Sequence, residues 1–228
     1  MKKRKFLTHH EVGCLLGAIR ESRHPERNSC MVLLAYVHGL RTSELLGMKV
    51  SDLELSGRRV QVRRMKNGFS TVHPLLKEEV KVLRRWLDIR KGVLREAEVE
   101  SEMLFVSGTG KALSRQQFYN ILSAAGKKAE LSTGVHPHML RHACGYSLAD
   151  NGIDTRLIQD YLGHRNIRHT VLYTASSAAR FERVWQGPGR RKKQLFDPKC
   201  KPLHGCFFTK LTLHRHLFYN NSLINIKF

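Results

Sequence analysis

Acidic residues are scarce in this chain. Its 228 residues hold 19 Asp and Glu against 40 Lys and Arg, a formal charge of +21 and a pI near 10.3. Such an excess points to a polyanionic partner, because each neutralised phosphate releases counterions. The charge is not confined to one end. The stretch from Arg190 to Phe228 carries nine Lys or Arg and one Asp, which leaves +13 on the rest. Cysteine is also sparse. Cys14, Cys30, Cys144, Cys200 and Cys206 are odd in number and never spaced C-x-x-C. That excludes a disulfide framework and leaves reduced thiols as the expectation. No apolar run is long enough to span a bilayer, so a membrane partner is not expected. The basic start "MKKRKFLTHHEVG" leads into no apolar signal region. Its "KKRK" reads as a nuclear-localisation patch or as an arm on DNA phosphates.

Several sites are missing too. The sequence has no G-x-x-x-x-G-K-[ST] loop, no G-x-G-x-x-G after a strand and no H-E-x-x-H. No tight acidic cluster suggests two metals. If the protein acts on phosphodiesters, side-chain cations must stabilise the developing charge. The reading calls for neither metal nor cofactor. The tail residues Cys200, His204, Cys206, His214 and His216 fit no standard zinc spacing.

The apolar patterning predicts a mainly α-helical α+β domain with a small antiparallel sheet. Thr8 and Glu11 form a capping box for a first helix, with Leu7 and Val12 as a staple. A second helix is expected from about Asn28 to Val37, and a short one in "HGLRTSELLG" ending near Gly47. Then the period becomes two. "RRVQVRRM" and "FSTVHPL" flank Asn67-Gly68, a strong type I′ hairpin signal, and "VSDLEL" adds a third strand. Lys66 sits at the hairpin tip. A helix is expected from about Lys77 to Lys91 with Val80, Leu83 and Leu87 on its buried stripe, and "MLFVS" reads as a short strand or extended piece. Ser114 with Gln117 caps another helix. "HPHMLRHACGYSLADNG", the Asp154-capped "TRLIQDYL" stopping at Gly163, and a last segment carrying Tyr173 complete the body. The expected division is a domain over 1–187 and a basic, poorly ordered tail over 188–228.

The candidate residues lie near helix ends, where backbone N–H groups favour anions. Arg41 opens a short helix, and Glu44 three residues on is placed to hold its guanidinium. His138 and Arg141 are three apart near a helix start. His164 follows a C-cap glycine. Arg165, Arg168, His169 and Arg156 are candidate phosphate contacts. Singly, each has a plain structural reading: a surface pair, a cap, turn solvation, or a core tyrosine with its hydroxyl at the rim.

The order Arg41, Lys66, His138-x-x-Arg141, Leu162-Gly163-His164 and Tyr173, with "HGLRTSELLGMKVSDL" and "HPHMLRHACGYSLADNGIDTRLIQDYLGHRNIRHTVLYT", resembles the tyrosine recombinase (phage integrase-like) family. Within it, "FSTVHPLL", "LSRQQFY" and "FLTHHEV" are similar to the fimbrial phase-variation invertases over roughly Lys5 to Gln186. The resemblance implies the recombinase catalytic fold, with no separate core-binding domain before Arg41. It implies Tyr173 as a nucleophile that leaves a 3′-phosphotyrosine and a free 5′-hydroxyl. Neighbouring cations would favour its phenolate. Arg41 and Arg141 would clamp the phosphate, His164 would donate to it, Lys66 would protonate the leaving oxygen, His138 would assist, and Glu44 would orient Arg41. It further implies double-stranded DNA with inverted-repeat sites, a homotetramer with contacts through Phe181 and Trp185, possible DNA-bending accessory proteins, and a bacterial cytoplasmic, nucleoid-associated location. The rival readings are a non-catalytic regulator using "ADNG" as a helix-turn-helix corner with Arg156 and Arg165 towards DNA, and a nicking-resealing enzyme of the type IB topoisomerase sort. A regulator has no need of Tyr173; a topoisomerase has no specific site.

Overall fold

A computed structural model describes residues 4–64 and 70–175. All lie in the first of two units of the chain, Met1–Gly187. The first helix, α1 (His9–Arg20), starts on the expected capping box: Glu11 N–H donates to Thr8 Oγ1, and Thr8 N–H to Glu11 Oε2. Leu7 and Val12 are both buried, as a staple requires. Helix α2 (Pro25–Val37) begins three residues before the expected Asn28, because Pro25 is pre-set for the first helical position. It is the central helix, packed on α1, on α4 (Lys77–Glu96) and on α6 (Pro137–Asp150). Cys30, Met31, Leu34 and Ala35 form its part of the main core.

The three strands β1 (Leu53–Glu54), β2 (Arg59–Val62) and β3 (Thr71–Pro74) form an antiparallel sheet in chain order. Val60 and Val62 face the core, and Val60 pairs with His73. The hairpin signal at Asn67-Gly68, and Lys66 with it, fall outside the described residues. "MLFVS" is not a strand. It makes only the isolated bridges Lys49↔Met103 and Val106↔Ala112. Its carbonyls are taken instead by α4: Trp86 Nε1 donates to Leu104 O and Arg90 Nε to Met103 O, both at 2.9 Å. Helix α4 continues past Lys91 to Glu96 because Val93 and Leu94 carry its apolar stripe further against the core. Leu87 is only partly buried; Trp86 fills the stripe with Val80 and Leu83.

Helix α3 (Thr42–Leu46) ends at Gly47, and α5 (Arg115–Lys128) starts on the Ser114–Gln117 box, both as expected. Asp154 caps α7 (Thr155–Leu162), which stops at Gly163 with φ 66°, a conformation suited to glycine. Helix α8 (Arg168–Ala175) follows. With α6 these build a second, smaller core of Cys144, Ala149, Ile158, Leu162 and Tyr173. No described helix is long and apolar enough to cross a membrane.

A polar chain runs between the sheet and α2. His73 Nε2 meets Thr71 Oγ1 at 2.8 Å, and its Nδ1 meets His38 Nδ1 at 3.2 Å. His38 Nε2 lies 3.0 Å from Glu79 Oε1. Burial, then the charges of His38 and Arg64, push His73 down to about 2, so it stays neutral in the fold. The unfolded chain protonates that ring below its ordinary value and the folded chain does not. Stability therefore falls as pH drops from about 6.5, by up to about 1.4 kcal/mol per pH unit for this one group. Urea midpoints at pH 7 and pH 5 test this: a His73→Asn variant is expected to lose less stability over that interval than the wild type.

Candidate functional site

The site is built around one carboxylate. Arg41 is the N-cap residue of α3, so Glu44 lies one turn on and folds back over it. Arg41 N–H donates to Glu44 Oε2 at 3.0 Å, and its guanidinium reaches Oε1 at 2.6 Å. Arg64, just past β2, donates to Oε2 at 2.8 Å. Arg141, from α6, lies 3.9 Å from the same oxygen. Three guanidinium groups thus share one carboxylate, an excess of positive charge where an anion can settle. Burial alone would raise the Glu44 carboxyl. Arg64 and the bonds from Arg41 outweigh burial and hold it below its ordinary value.

Backbone carbonyls fix the other ends of these arginines. Arg64 Nη2 donates to Tyr161 O and His38 O, and Arg141 donates to Leu162 O and Gly39 O. Tyr161 and Leu162 are the last residues of α7, whose terminal carbonyls lack helical partners and carry the negative end of the dipole. Two buried cations satisfy both. Burial first, then Arg41 and Arg64, push Arg141 down to about 10, which still leaves it charged at neutral pH. The Arg64 side chain is 0% exposed and that of Arg41 is 32%. Arg41 is therefore the guanidinium that faces outward, and Arg64 is internal framework.

Tyr173 lies beside this cluster on α8. Its ring rests on Gly145 of α6, where an added Cβ would come 2.6 Å from Tyr173 Cε2. Tyr146 packs against it edge-on at 5.0 Å between centroids. The hydroxyl meets His142 Nδ1 at 3.0 Å. Tyr173 is only 3% exposed. Arg141 and Arg41 do favour its phenolate, as expected, but burial works against them. Burial raises the phenol to about 12, and the opposing pull of Arg141 and Arg41 does not overcome it. At pH 7 the phenolate fraction is then on the order of one in 10⁵.

His164 follows Gly163 and stacks 6.2 Å from the Tyr173 ring. Its Nδ1 meets the buried Thr170 Oγ1 at 2.9 Å. Burial, then Arg141 and Arg41, push it down to about 3, so it is neutral at pH 7. A Thr170 hydroxyl that donates to Nδ1 would leave the ring proton on Nε2, where it can donate to an anion.

Arg41, Glu44, Arg141, His164 and Tyr173 thus come together from four segments. Other expected residues do not join them. His138 is exposed while Arg141, three residues on, is buried. Arg165 and Arg168 are exposed, and His169, also exposed, meets the His164 ring edge-on at 6.0 Å between centroids. The guanidinium charges that act on the Tyr173 phenol come from Arg141 and Arg41. Arg156 is exposed and leans on Gln159 and Asp160. Lys66, Phe181, Trp185 and the tail Cys and His residues lie outside the described residues. Sequence reasoning missed Arg64, although Val60, Val62 and Arg64 share the inward parity of the strand. It also missed His142 and Gly145, which face Tyr173 from one helical turn, and Thr170.

Because the Tyr173 ring is rigid, Gly145→Ala cannot be relieved by a flexible side-chain end. The variant is expected to lose about 1–3 kcal/mol in urea unfolding through overpacking between α6 and α8. An unchanged midpoint would mean that Tyr173 does not rest on Gly145.

The sequence matches the phage integrase family over residues 5–180. It is 53% identical to the type 1 fimbriae regulatory protein FimB of Escherichia coli strain K12 over 192 residues, 84% of this chain and 94% of that protein. Identity to the type 1 fimbriae regulatory protein FimE of the same strain is 52% over 189 residues, 82% and 93% of the two chains. Among solved structures, the XerA recombinase superposes with a TM-score of 0.70 at 28% identity, covering 84% of this chain and 68% of that one. The chain belongs to the phage integrase family and is a tyrosine-type site-specific DNA recombinase.

Proposed function

We propose that Tyr173 is the nucleophile and that the Glu44-centred arginines form its phosphate site. The observation that carries this reading is the placing of a buried tyrosine between two neutral imidazoles, His142 and His164, within the field of Arg141 and Arg41. In the reaction, the Tyr173 Oη–P bond forms as the P–O5′ bond breaks. The product is a 3′-phosphotyrosine with a free 5′-hydroxyl. Attack by a 5′-hydroxyl on that linkage reseals a strand without ATP, since the phosphodiester energy is kept in the protein–DNA bond. Arg41 and Arg141 hold the non-bridging oxygens, and His164 Nε2 donates to one of them as charge develops. Lys66 protonates O5′, His138 assists at the phosphate, and Glu44 fixes Arg41. No metal is called for, because the guanidinium cluster does the work of spreading charge.

The named relatives support a role in controlling fimbrial genes: inversion of a promoter segment between inverted repeats, giving phase variation. Recombination of two sites needs four active sites, so the working form is a homotetramer on synapsed DNA, aided by DNA-bending proteins, in the bacterial cytoplasm and nucleoid. Arg156, Arg165, Arg168 and His169 contact DNA phosphates. Residues 1–187 are the catalytic domain, and 188–228 a basic tail that adds DNA affinity. A regulator without chemistry would not place the hydroxyl of Tyr173 on an imidazole.

The test is a nicked suicide DNA carrying the inverted repeats of the neighbouring locus, run on a denaturing gel with EDTA present. A covalent protein–DNA band is expected for the wild type and not for Tyr173→Phe. Arg41→Ala is expected to cut the rate of its formation about 100-fold or more. Sequence-specific binding by both wild type and Tyr173→Phe, with no band from either, would establish the regulator instead.

A further inference from the structure

We propose that His142 is the general base of the cleavage step, taking the proton of the Tyr173 hydroxyl on its Nδ1. The inference rests on the reading of Tyr173 as nucleophile and adds the group that makes it reactive.

A base must lie within hydrogen-bond reach of the proton it removes and be unprotonated at the working pH. His142 meets both conditions. Its Nδ1 is 3.0 Å from Tyr173 Oη, with the two rings edge-on at 60°. The groups that act on His142 come from its own helix and from the N-terminal segment. Burial, then His138, Arg141, His136 and Lys5, all lower its affinity for a proton. The ring is therefore neutral at pH 7, and with its proton on Nε2 the Nδ1 lone pair accepts from the phenol.

No other basic group among the described residues is hydrogen-bonded to the Tyr173 hydroxyl. His164 has its Nδ1 on Thr170 Oγ1. His138 is exposed on the first turn of α6. Burial pushes the Cys144 thiol up to about 12, so it holds its proton as firmly as the phenol does. Tyr146 meets Tyr173 through ring edges.

The need for a base follows from the burial of Tyr173. A phenol raised to about 12 does not ionise in advance. It must lose its proton as it attacks. The Tyr173 O–H bond breaks, its proton passes to His142 Nδ1, the Oη–P bond forms, and the P–O5′ bond breaks with the electron pair leaving on O5′, which takes a proton from Lys66. The resulting His142 imidazolium sits beside Arg141 and His138, which repel it. That repulsion favours return of the proton to Oη when a 5′-hydroxyl attacks the phosphotyrosine. One residue thus serves as base in cleavage and as acid in resealing. Position 142 has a clear geometric reason for this role. Residues 142, 145 and 146 span one turn of α6, so the imidazole, the bare Gly145 and the Tyr146 ring form a cradle for one tyrosine.

The experiment measures first-order cleavage of the same suicide DNA by the full chain from about pH 5.5 to 9.5, the range over which an imidazole base changes state. Wild type, His142→Ala, His142→Asn and Tyr173→Phe are compared, with urea midpoints confirming that each variant is folded. Wild-type cleavage is expected to level off once His142 is neutral. His142→Ala is expected to fall by about 10²–10⁴-fold at pH 7, to regain about tenfold per pH unit as hydroxide replaces the base, and to be partly restored by added imidazole. His142→Asn keeps a hydrogen-bonding side chain without basicity and is expected to be as slow as His142→Ala. Three results would overturn the proposal: a His142→Ala rate within about threefold of wild type, a slow His142→Ala with a flat pH profile and no imidazole response, or wild-type rates in His142→Asn. If the wild type forms no adduct, or Tyr173→Phe still does, the nucleophile assignment itself fails before His142 is tested.

Discussion

The arrangement of the site depends on the buried Glu44 carboxylate. A buried carboxylate persists only when its charge is matched and its lone pairs are used. Here Oε1 takes the Arg41 guanidinium, and Oε2 takes the Arg41 N–H and Arg64. In turn each buried arginine ties down a separate part of the chain. Arg64 reaches the carbonyls of residues 38 and 161, and Arg141 those of residues 39 and 162. The end of α2, the start of α3, the exit of β2, the face of α6 and the end of α7 are thereby joined at one point. Catalytic positions over a hundred residues apart in sequence acquire fixed relative positions through a handful of charge-assisted bonds.

That construction separates two tasks that one arginine cannot perform alone. Arg64 is fully internal and neutralises Glu44, so Arg41 and Arg141 retain positive charge for an anion. The proposed nucleophile is treated in the opposite way. Tyr173 is packed into a small apolar core with Leu162, Ile158 and Ala149. Its hydroxyl is kept protonated and out of water. An enzyme whose nucleophile is a core residue has little phenolate to expend on stray electrophiles, and it needs a specific proton acceptor at the moment of attack. On the proposed reading that acceptor is His142, 3.0 Å from the hydroxyl.

Much of this was legible in the sequence, and the gaps have physical reasons. Helix starts were readable because capping is local: Thr8–Glu11, Ser114–Gln117 and Asp154 each satisfy backbone donors within one turn. The order Arg41, His138, Arg141, His164, Tyr173 carried the family resemblance, which FimB and FimE bear out at 52–53% identity. What sequence could not show was burial. The cations adjacent to Tyr173, Arg165 and Arg168, turn outward, and those that act on it arrive from residues 41 and 141. The phenol is raised rather than lowered because packing outweighs charge, and packing is a property of the assembled helices. "MLFVS" left strand and extended piece open; it is the extended piece, because Trp86 and Arg90 bond its carbonyls and only isolated bridges form. Arg64 went unnoticed because an arginine at an inward strand position has meaning only once Glu44 is seen opposite it.

The most direct test of Glu44 as the organising charge is a double-mutant cycle on folding stability with Glu44→Leu and Arg64→Met. Glu44→Leu leaves buried Arg64 without its carboxylate, and Arg64→Met leaves Glu44 to Arg41 and Arg141 alone; breaking the buried pair from either side is expected to cost about 3–5 kcal/mol in urea unfolding. The double variant removes both charges at similar volume. It is expected to lose far less than the sum, while suicide-substrate cleavage stays impaired because Arg41 is no longer held. If the two losses simply add, Glu44 and Arg64 do not depend on each other, and the carboxylate is not what holds the site together.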